Sequence, residues 1–176
     1  MSERIDVMIS EEEVNKRIKE MAEQISKDYE GKVIHMISVL KGGVFFTTEL
    51  AKHITVPVTI DFMSVSSYGN GTSSTGNVRI VKDLDDPLAF EDVLLVEDII
   101  DSGLTLSYLM TVLKGRMPNS LKLCTLLNKQ ERRRADVKVD YMGFDIPDEF
   151  VVGYGMDYAQ KYRNLPYIGI LRVDEQ

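Results

Sequence analysis

The chain has 176 residues, 44% of them hydrophobic, and a net charge of −7. That is enough for one domain over residues 1–176 with a sizeable core, and too little to argue for two. The acidic excess speaks against a nucleic-acid partner, because phosphate binding over a large footprint needs a basic face, although a local anion pocket stays compatible with it. The apolar stretches fall short of the roughly 18 residues a membrane helix needs, and Met1 to Ser10 has no apolar signal region, so the expectation is a soluble, cytoplasmic protein with no membrane partner.

Along the chain, Ser10 followed by Glu13 reads as a capping box. Val14, Ile18, Met21, Ala22 and Ile25 then recur on one helical face up to Gly31, which suits the C′ position. "KVIHMISVL" reads as a buried strand, "LKGG" as a tight turn and Val44 to Ile54 as a second helix. "VPVTIDFMSV" is another strand. The polar, glycine-rich run "SSYGNGTSSTGN", 66–77, lacks apolar periodicity and reads as a mobile loop. After it come "NVRIV" as a short strand, "DDP" as a turn, Val93 to Val96 as a strand, Leu104 to Lys114 as a helix and "LKLCTLL" as a strand. The last forty residues mix short β-like runs with turns. Strands alternating with helices imply an α/β fold with a parallel sheet covered on both faces. Cys124, the only cysteine, falls in an apolar strand and reads as a buried structural thiol; His35 and His53 also read as structural.

In such sheets ligands bind beyond the carboxyl ends of the strands, and three polar loops lie there: "LKGG", "EDIIDSGLT" and "NKQERRR". Glu97, Asp98 and Asp101 crowd like charges that repel one another, so a cationic or hydroxylic ligand should complete them. Ser102, Gly103 and Thr105 stand where a helix begins and offer N–H groups, hydroxyls and a partial positive dipole to a phosphate monoester. Glu97 and Asp98 suit vicinal sugar hydroxyls or a hydrated Mg²⁺, which takes one or two carboxylates plus substrate phosphates. Of "QERRR", Arg133 is a possible pyrophosphate contact, while Arg132 and Arg134 read as surface residues.

At these residues the chain resembles the type I phosphoribosyltransferases, and within them the hypoxanthine-guanine phosphoribosyltransferases. "VLLVEDIIDSGLT" is similar to their phosphoribosyl pyrophosphate motif. "LKGG" (40–43), "LLNKQERR" (126–133) and "GFDIPDEFVVGYGMDYAQKYRNLPYIGIL" (143–171) match in order, so the likeness spans nearly the whole chain. It implies a parallel-sheet fold with a small hood region.

The resemblance implies a role for each matching residue. Glu97 and Asp98 hold the ribose hydroxyls, and Asp101, Ser102, Gly103, Leu104 and Thr105 cradle the 5′-phosphate. Asp101 also faces the purine as general base or acid. Lys41, Gly42 and Arg163 take the pyrophosphate, with a cis peptide before Lys41 in the family. Lys129 reads the oxygen at C6, Phe150 stacks on the base, and Val151 and Asp157 meet the 2-substituent. Ser67 and Tyr68 belong to a lid. Glu97, Asp98 and Asp157 are the magnesium ligands. The implied reaction is Mg²⁺-dependent transfer of 5-phosphoribosyl from phosphoribosyl pyrophosphate to N9 of hypoxanthine or guanine, by a homodimer or homotetramer. Leu104 stands where relatives often carry a polar or basic side chain, so one phosphate contact is missing here.

Two other classes remain open at this point. An RNA-binding regulator on the same fold needs a clustered basic face, against the net charge. A receiver-like signalling domain splits its acids between strands, whereas here all three share one segment. A nearer rival is a sister transferase for adenine or xanthine: Lys129, whose ammonium rejects a 6-amino group, opposes adenine, and xanthine stays open because the 2-substituent is met through backbone groups.

Overall fold

The computed structural model describes residues 2–67 and 78–174. The elements in chain order are β1 (Ser2–Ile9), α1 (Glu11–Asp28), β2 (Ile34–Leu40), α2 (Gly43–His53), β3 (Val58–Ser67), β4 (Val78–Lys82), β5 (Asp92–Ile100), α3 (Leu104–Lys114), β6 (Ser120–Asn128), β7 (Tyr141–Asp145), β8 (Val151–Val152) and β9 (Ile168–Asp174). A six-stranded sheet runs β4-β3-β2-β5-β6-β7. It is parallel except for β4, which pairs antiparallel with β3. β1, β9 and β8 make a separate antiparallel sheet, the small hood.

The central strands read as near-continuous apolar runs because both faces are covered. Leu94 and Val96 of β5 point into one core with Val14, Ile18 and Ile25 of α1 and Phe46 and Leu50 of α2. Val93 and Leu95 point into the other with Leu106, Leu109 and Leu113 of α3. Each fully buried aliphatic side chain stabilises by about 1.5–3 kcal/mol over leaving it exposed.

The first helix starts as its sequence implies. Ser10 Oγ accepts from Glu13 N at 3.2 Å and Glu13 Oε2 accepts from Ser10 N at 2.8 Å, a reciprocal cap whose Ser→Ala loss costs about 1 kcal/mol. All five residues of the expected apolar face are buried. The helix ends at Asp28 with Tyr29 as C-cap, and Gly31 takes φ +75° two residues beyond that cap rather than at C′.

Three elements differ from the sequence reading. β1 appears where the first ten residues suggested nothing, because its partner β9 lies at the other end of the chain: Ile5 pairs with Leu171 and Val7 with Gly169. β5 continues past Val96 to Ile100, since β6 supplies ladder partners as far as Asn128. Glu97 and Asp98 are therefore strand residues, held by the sheet instead of by a loop. The expected loop at 66–77 begins two residues later, because Ser66 and Ser67 continue β3 and pair with Arg79 and Val78 of β4; Tyr68, the rest of that loop and the side chain of Ser67 lie outside the described residues. Among the described residues no helix is long and apolar enough to cross a membrane.

Candidate active site

The carboxyl ends of β2, β5 and β6 converge on one rim. β5 enters it between β2 and β6, and Glu97 and Asp98 both border the cleft at its end. Asp98 is buried, and Oδ1 accepts from Ile99 N at 2.8 Å. Burial pushes the Glu97 carboxyl well up, and the neighbouring charge of Asp98 adds to it. Burial also raises Asp98, opposed by hydrogen bonds from Glu97 and Ile99 N and by the charge of Arg163. With two raised acids side by side, the pair retains a proton where separate carboxyls would have lost it.

Beyond β5 the chain turns through Ser102 and Gly103, and Gly103 takes φ +78° as N-cap of α3. That left-handed conformation is open to glycine at no steric cost. The turn borders a cleft of about 290 Å³, lined also by Leu40, Glu97, Asp98 and Thr105. Asp101 borders this cleft and a polar one of about 480 Å³ lined also by Arg132, Arg133 and Asp148. A larger groove of about 500 Å³ between α3 and residues 136–140 has none of the motif residues on its walls.

The loop after β2 reaches the acids directly. A Cβ on Gly42 would lie 1.9 Å from Asp98 Oδ2, and one on Gly155 would lie 2.0 Å from the Gly42 carbonyl oxygen. Three segments therefore stack with only glycine at the contacts. The Leu40–Lys41 peptide bond is cis. Lys41 Nζ donates to Gln160 Oε1 at 3.1 Å. Arg163 donates to the Gly155 carbonyl at 2.7 Å and to Gln160 Oε1 at 3.3 Å, and pairs with Asp157 at 2.9 Å. Asp157 also accepts from Gln160 N at 2.8 Å. Gln160 thus ties Lys41 to Arg163. It lies inside the matching stretch 143–171 without an assigned role; the signal for one is backbone, since Tyr154, Ala159, Gln160 and Tyr162 all have positive φ, a conformation that clusters at functional sites in non-glycine residues.

On the other side, Lys129 follows β6. Its N–H donates to Ile100 O at 2.9 Å, and its side chain is only 8% exposed, with Asp148 Oδ1 at 3.8 Å. Asp101 Oδ2 accepts from Arg132 at 3.4 Å, while its Oδ1 is buried without a partner. Arg132 is exposed, as expected of a surface residue, and it also links Asp101 to Asp148; the sequence gives no hint of this link because Asp148 lies beyond β7. Arg133 braces the phosphate loop: its Nε donates to Asp101 O at 3.3 Å, it hydrogen-bonds Asn128, and its Cδ is 3.0 Å from the site of a Gly103 Cβ. Arg134 N donates to Ser102 O at 2.9 Å. Phe150 is 52% exposed and meets Tyr158 edge-on at 5.8 Å, an open aromatic face. Val151 is buried beside it and pairs with Ile170.

Among the described residues, no three His, Cys, Asp or Glu side chains group closely enough to hold a metal ion. Asp157 is engaged with Arg163, and the donor set nearest a cation is the Glu97–Asp98 pair. Two adjacent acids with raised affinity for protons fit a divalent ion completed by substrate oxygens, since Mg²⁺ keeps few protein ligands.

Acids at the end of β5, a loop at the N-terminus of α3 and a buried lysine share one rim of an α/β fold, the arrangement of a transferase. The phosphoribosyl transferase domain model matches residues 9–159. The chain is 52% identical over 166 residues to the hypoxanthine-guanine phosphoribosyltransferase of Bacillus subtilis, covering 94% of this chain and 92% of that protein. It is 49% identical to the hypoxanthine phosphoribosyltransferase of Salmonella typhimurium, over 99% of this chain and all of that one. A crystal structure of a hypoxanthine-guanine phosphoribosyltransferase from Bacillus anthracis superposes with a TM-score of 0.92 at 48% identity, covering 98% of this chain and 100% of that chain. The chain belongs to the hypoxanthine-guanine phosphoribosyltransferase family.

Proposed function

We infer that the protein is a purine-salvage enzyme that transfers 5-phosphoribosyl from phosphoribosyl pyrophosphate to N9 of hypoxanthine or guanine, releasing pyrophosphate. The observation that carries this reading is the junction of phosphate loop and buried lysine: the Lys129 N–H bond to Ile100 O, at 2.9 Å, sets a desolvated ammonium beside the loop that begins at Asp101. An ammonium so placed donates to a carbonyl oxygen and leaves an amino group at the same position without an acceptor.

In this reading Ser102 to Thr105 bind the 5′-phosphate, Glu97 and Asp98 take the ribose hydroxyls, and Lys41, Gly42 and Arg163 take the diphosphate. Phe150 stacks on the base and Val151 meets its 2-substituent through backbone. The Asp101 carboxylate, which borders both clefts, takes the proton at N7, the step a positioned carboxylate supports. Positive charge develops on the ribose as the diphosphate leaves, so fixed charges and exclusion of water matter most. Mg²⁺, when bound by Glu97 and Asp98 with Asp157 at the diphosphate, would supply charge neutralisation on the leaving group. We place the reaction in the cytoplasm and the enzyme in a homo-oligomer; a chain whose one thiol is buried suits a reducing compartment.

The test incubates pure protein with Mg²⁺, phosphoribosyl pyrophosphate and hypoxanthine, guanine, xanthine or adenine in turn. Nucleotide is expected from hypoxanthine and guanine and not from adenine. Adenine consumption at the hypoxanthine rate would remove the role given to Lys129.

A further inference from the structure

We propose that Asp148 and Arg132 are positioning residues for the transfer reaction, joining the group that reads the purine's 6-oxygen to the group that takes its proton. The inference rests on the 6-oxopurine reading above and gives a role to two residues that lie inside the matching stretches but have none assigned there. Lys129, Asp148, Arg132 and Asp101 form a chain of alternating charge: Lys129 Nζ lies 3.8 Å from Asp148 Oδ1, Asp148 Oδ1 lies 3.6 Å from Arg132 Nε, and an Arg132 terminal nitrogen lies 3.4 Å from Asp101 Oδ2. Its two ends are the two side chains aimed at the base.

The geometry fits guidance better than stabilisation of the fold. Arg132, Asp148 and Asp101 are 52%, 47% and 44% exposed in their side chains, and exposed pairs of this kind contribute little to stability. Lys129 differs: a compact, strongly hydrated ammonium at 8% exposure needs a counter-charge, and Asp148 supplies it. At 3.8 Å the carboxylate holds the ammonium without occupying it, so its donors stay available to a carbonyl oxygen. Arg132 acts likewise on Asp101. By taking Oδ2 it fixes the rotation of the carboxylate, and the atom left without a partner is Oδ1. Asp148 stands two residues before Phe150 in a turn closed by Glu149 N donating to Pro147 O at 2.8 Å, so the stretch that carries the stacking ring also carries the guide for Lys129.

The test is steady-state kinetics of the full-length enzyme and its variants, with thermal unfolding as a fold control. Removing the counter-charge of a buried ammonium costs about tenfold or more, so Asp148→Asn should raise KM for hypoxanthine about tenfold and leave KM for phosphoribosyl pyrophosphate unchanged. Asp148→Glu, which keeps the charge, should recover part of the loss. Arg132→Gln should lower kcat about tenfold with little change in either KM, and Arg132→Lys should restore part of it. In a Lys129→Ala background, Asp148→Asn should add nothing further, because the contact it served is gone. Additive effects, equal shifts in both KM values, or an unchanged KM for hypoxanthine in active Asp148→Asn enzyme would overturn this inference while leaving the proposed function standing. Failure of the unsubstituted enzyme to form nucleotide from either 6-oxopurine would overturn both.

Discussion

Replacing Gly42 with alanine isolates the contact on which the site's geometry depends. Gly42 has φ −59° and ψ −40°, a conformation open to any residue, so backbone strain plays no part. The added Cβ would lie 1.9 Å from Asp98 Oδ2 and 2.7 Å from its Cγ, against the 3.5–4.0 Å or so of a relaxed carbon contact. Asp98 is buried and its other oxygen is held by Ile99 N at 2.8 Å, so relief requires either moving the carboxylate or lifting the 40–43 turn. Overpacking of this kind costs about 1–3 kcal/mol, which for a chain of this size lowers Tm by about 2–12 °C. Differential scanning calorimetry reads that loss, and the KM for phosphoribosyl pyrophosphate should rise with it because Asp98 and Gly42 are both assigned to that substrate. Gly115→Ala is the control: its Cβ would come no closer than 3.3 Å to a neighbour at φ −63°, and stability should hold or rise by up to about 1 kcal/mol. A Gly42→Ala enzyme with the parent Tm and the parent KM would refute the stacked-glycine account.

Asp101→Asn should cut kcat by about 100-fold or more, in line with the worth of a positioned general base, with a much smaller effect on phosphoribosyl pyrophosphate binding; near-parent turnover would exclude the proton-transfer role. Lys129→Ala should raise KM for hypoxanthine and guanine by about 10- to 100-fold, the worth of a charged hydrogen bond, and narrow the margin over adenine; unchanged kinetics would exclude its role. Glu97→Gln tests the crowded acids. A carboxyl whose folded pKa lies above its unfolded one favours folding at low pH, and that contribution is lost as pH rises from the ordinary 4.5 through the raised value. The glutamine variant should therefore show a flatter stability curve across this window, with the higher Tm above it and weaker substrate binding throughout. A curve parallel to the parent's would contradict the raised pKa.

Local signals carried much of this arrangement. The capping box, the apolar face of α1, the bounds of α3 and the buried runs of β2, β5 and β6 are encoded within windows of ten to twenty residues, where periodicity and turn chemistry act. The turn from Asp101 to Thr105 into α3 was legible for the same reason, being contiguous in the chain. What sequence could not reveal depends on distant partners. β1 is a strand because β9 lies beside it, and β5 runs on to Ile100 because β6 offers partners. Gly155 is required by Gly42, more than a hundred residues away. Arg132 looked like one charge in a basic run, and only the fold brings it to Asp101 and Asp148. Gln160 carries no chemistry that composition would flag, yet it accepts from both Lys41 and Arg163.

In the proposed reaction, the crowded carboxyls of Glu97 and Asp98 hold a proton until a sugar diphosphate and its divalent ion replace it. Isothermal titration of phosphoribosyl pyrophosphate with Mg²⁺, repeated in buffers of different ionisation enthalpy from pH 5 to pH 8, measures that exchange. Binding should release protons, most at the acid end where the raised carboxyls are still protonated and least at the alkaline end where they are not. No heat of association at millimolar diphosphate, or binding with the same proton count at every pH, would contradict it.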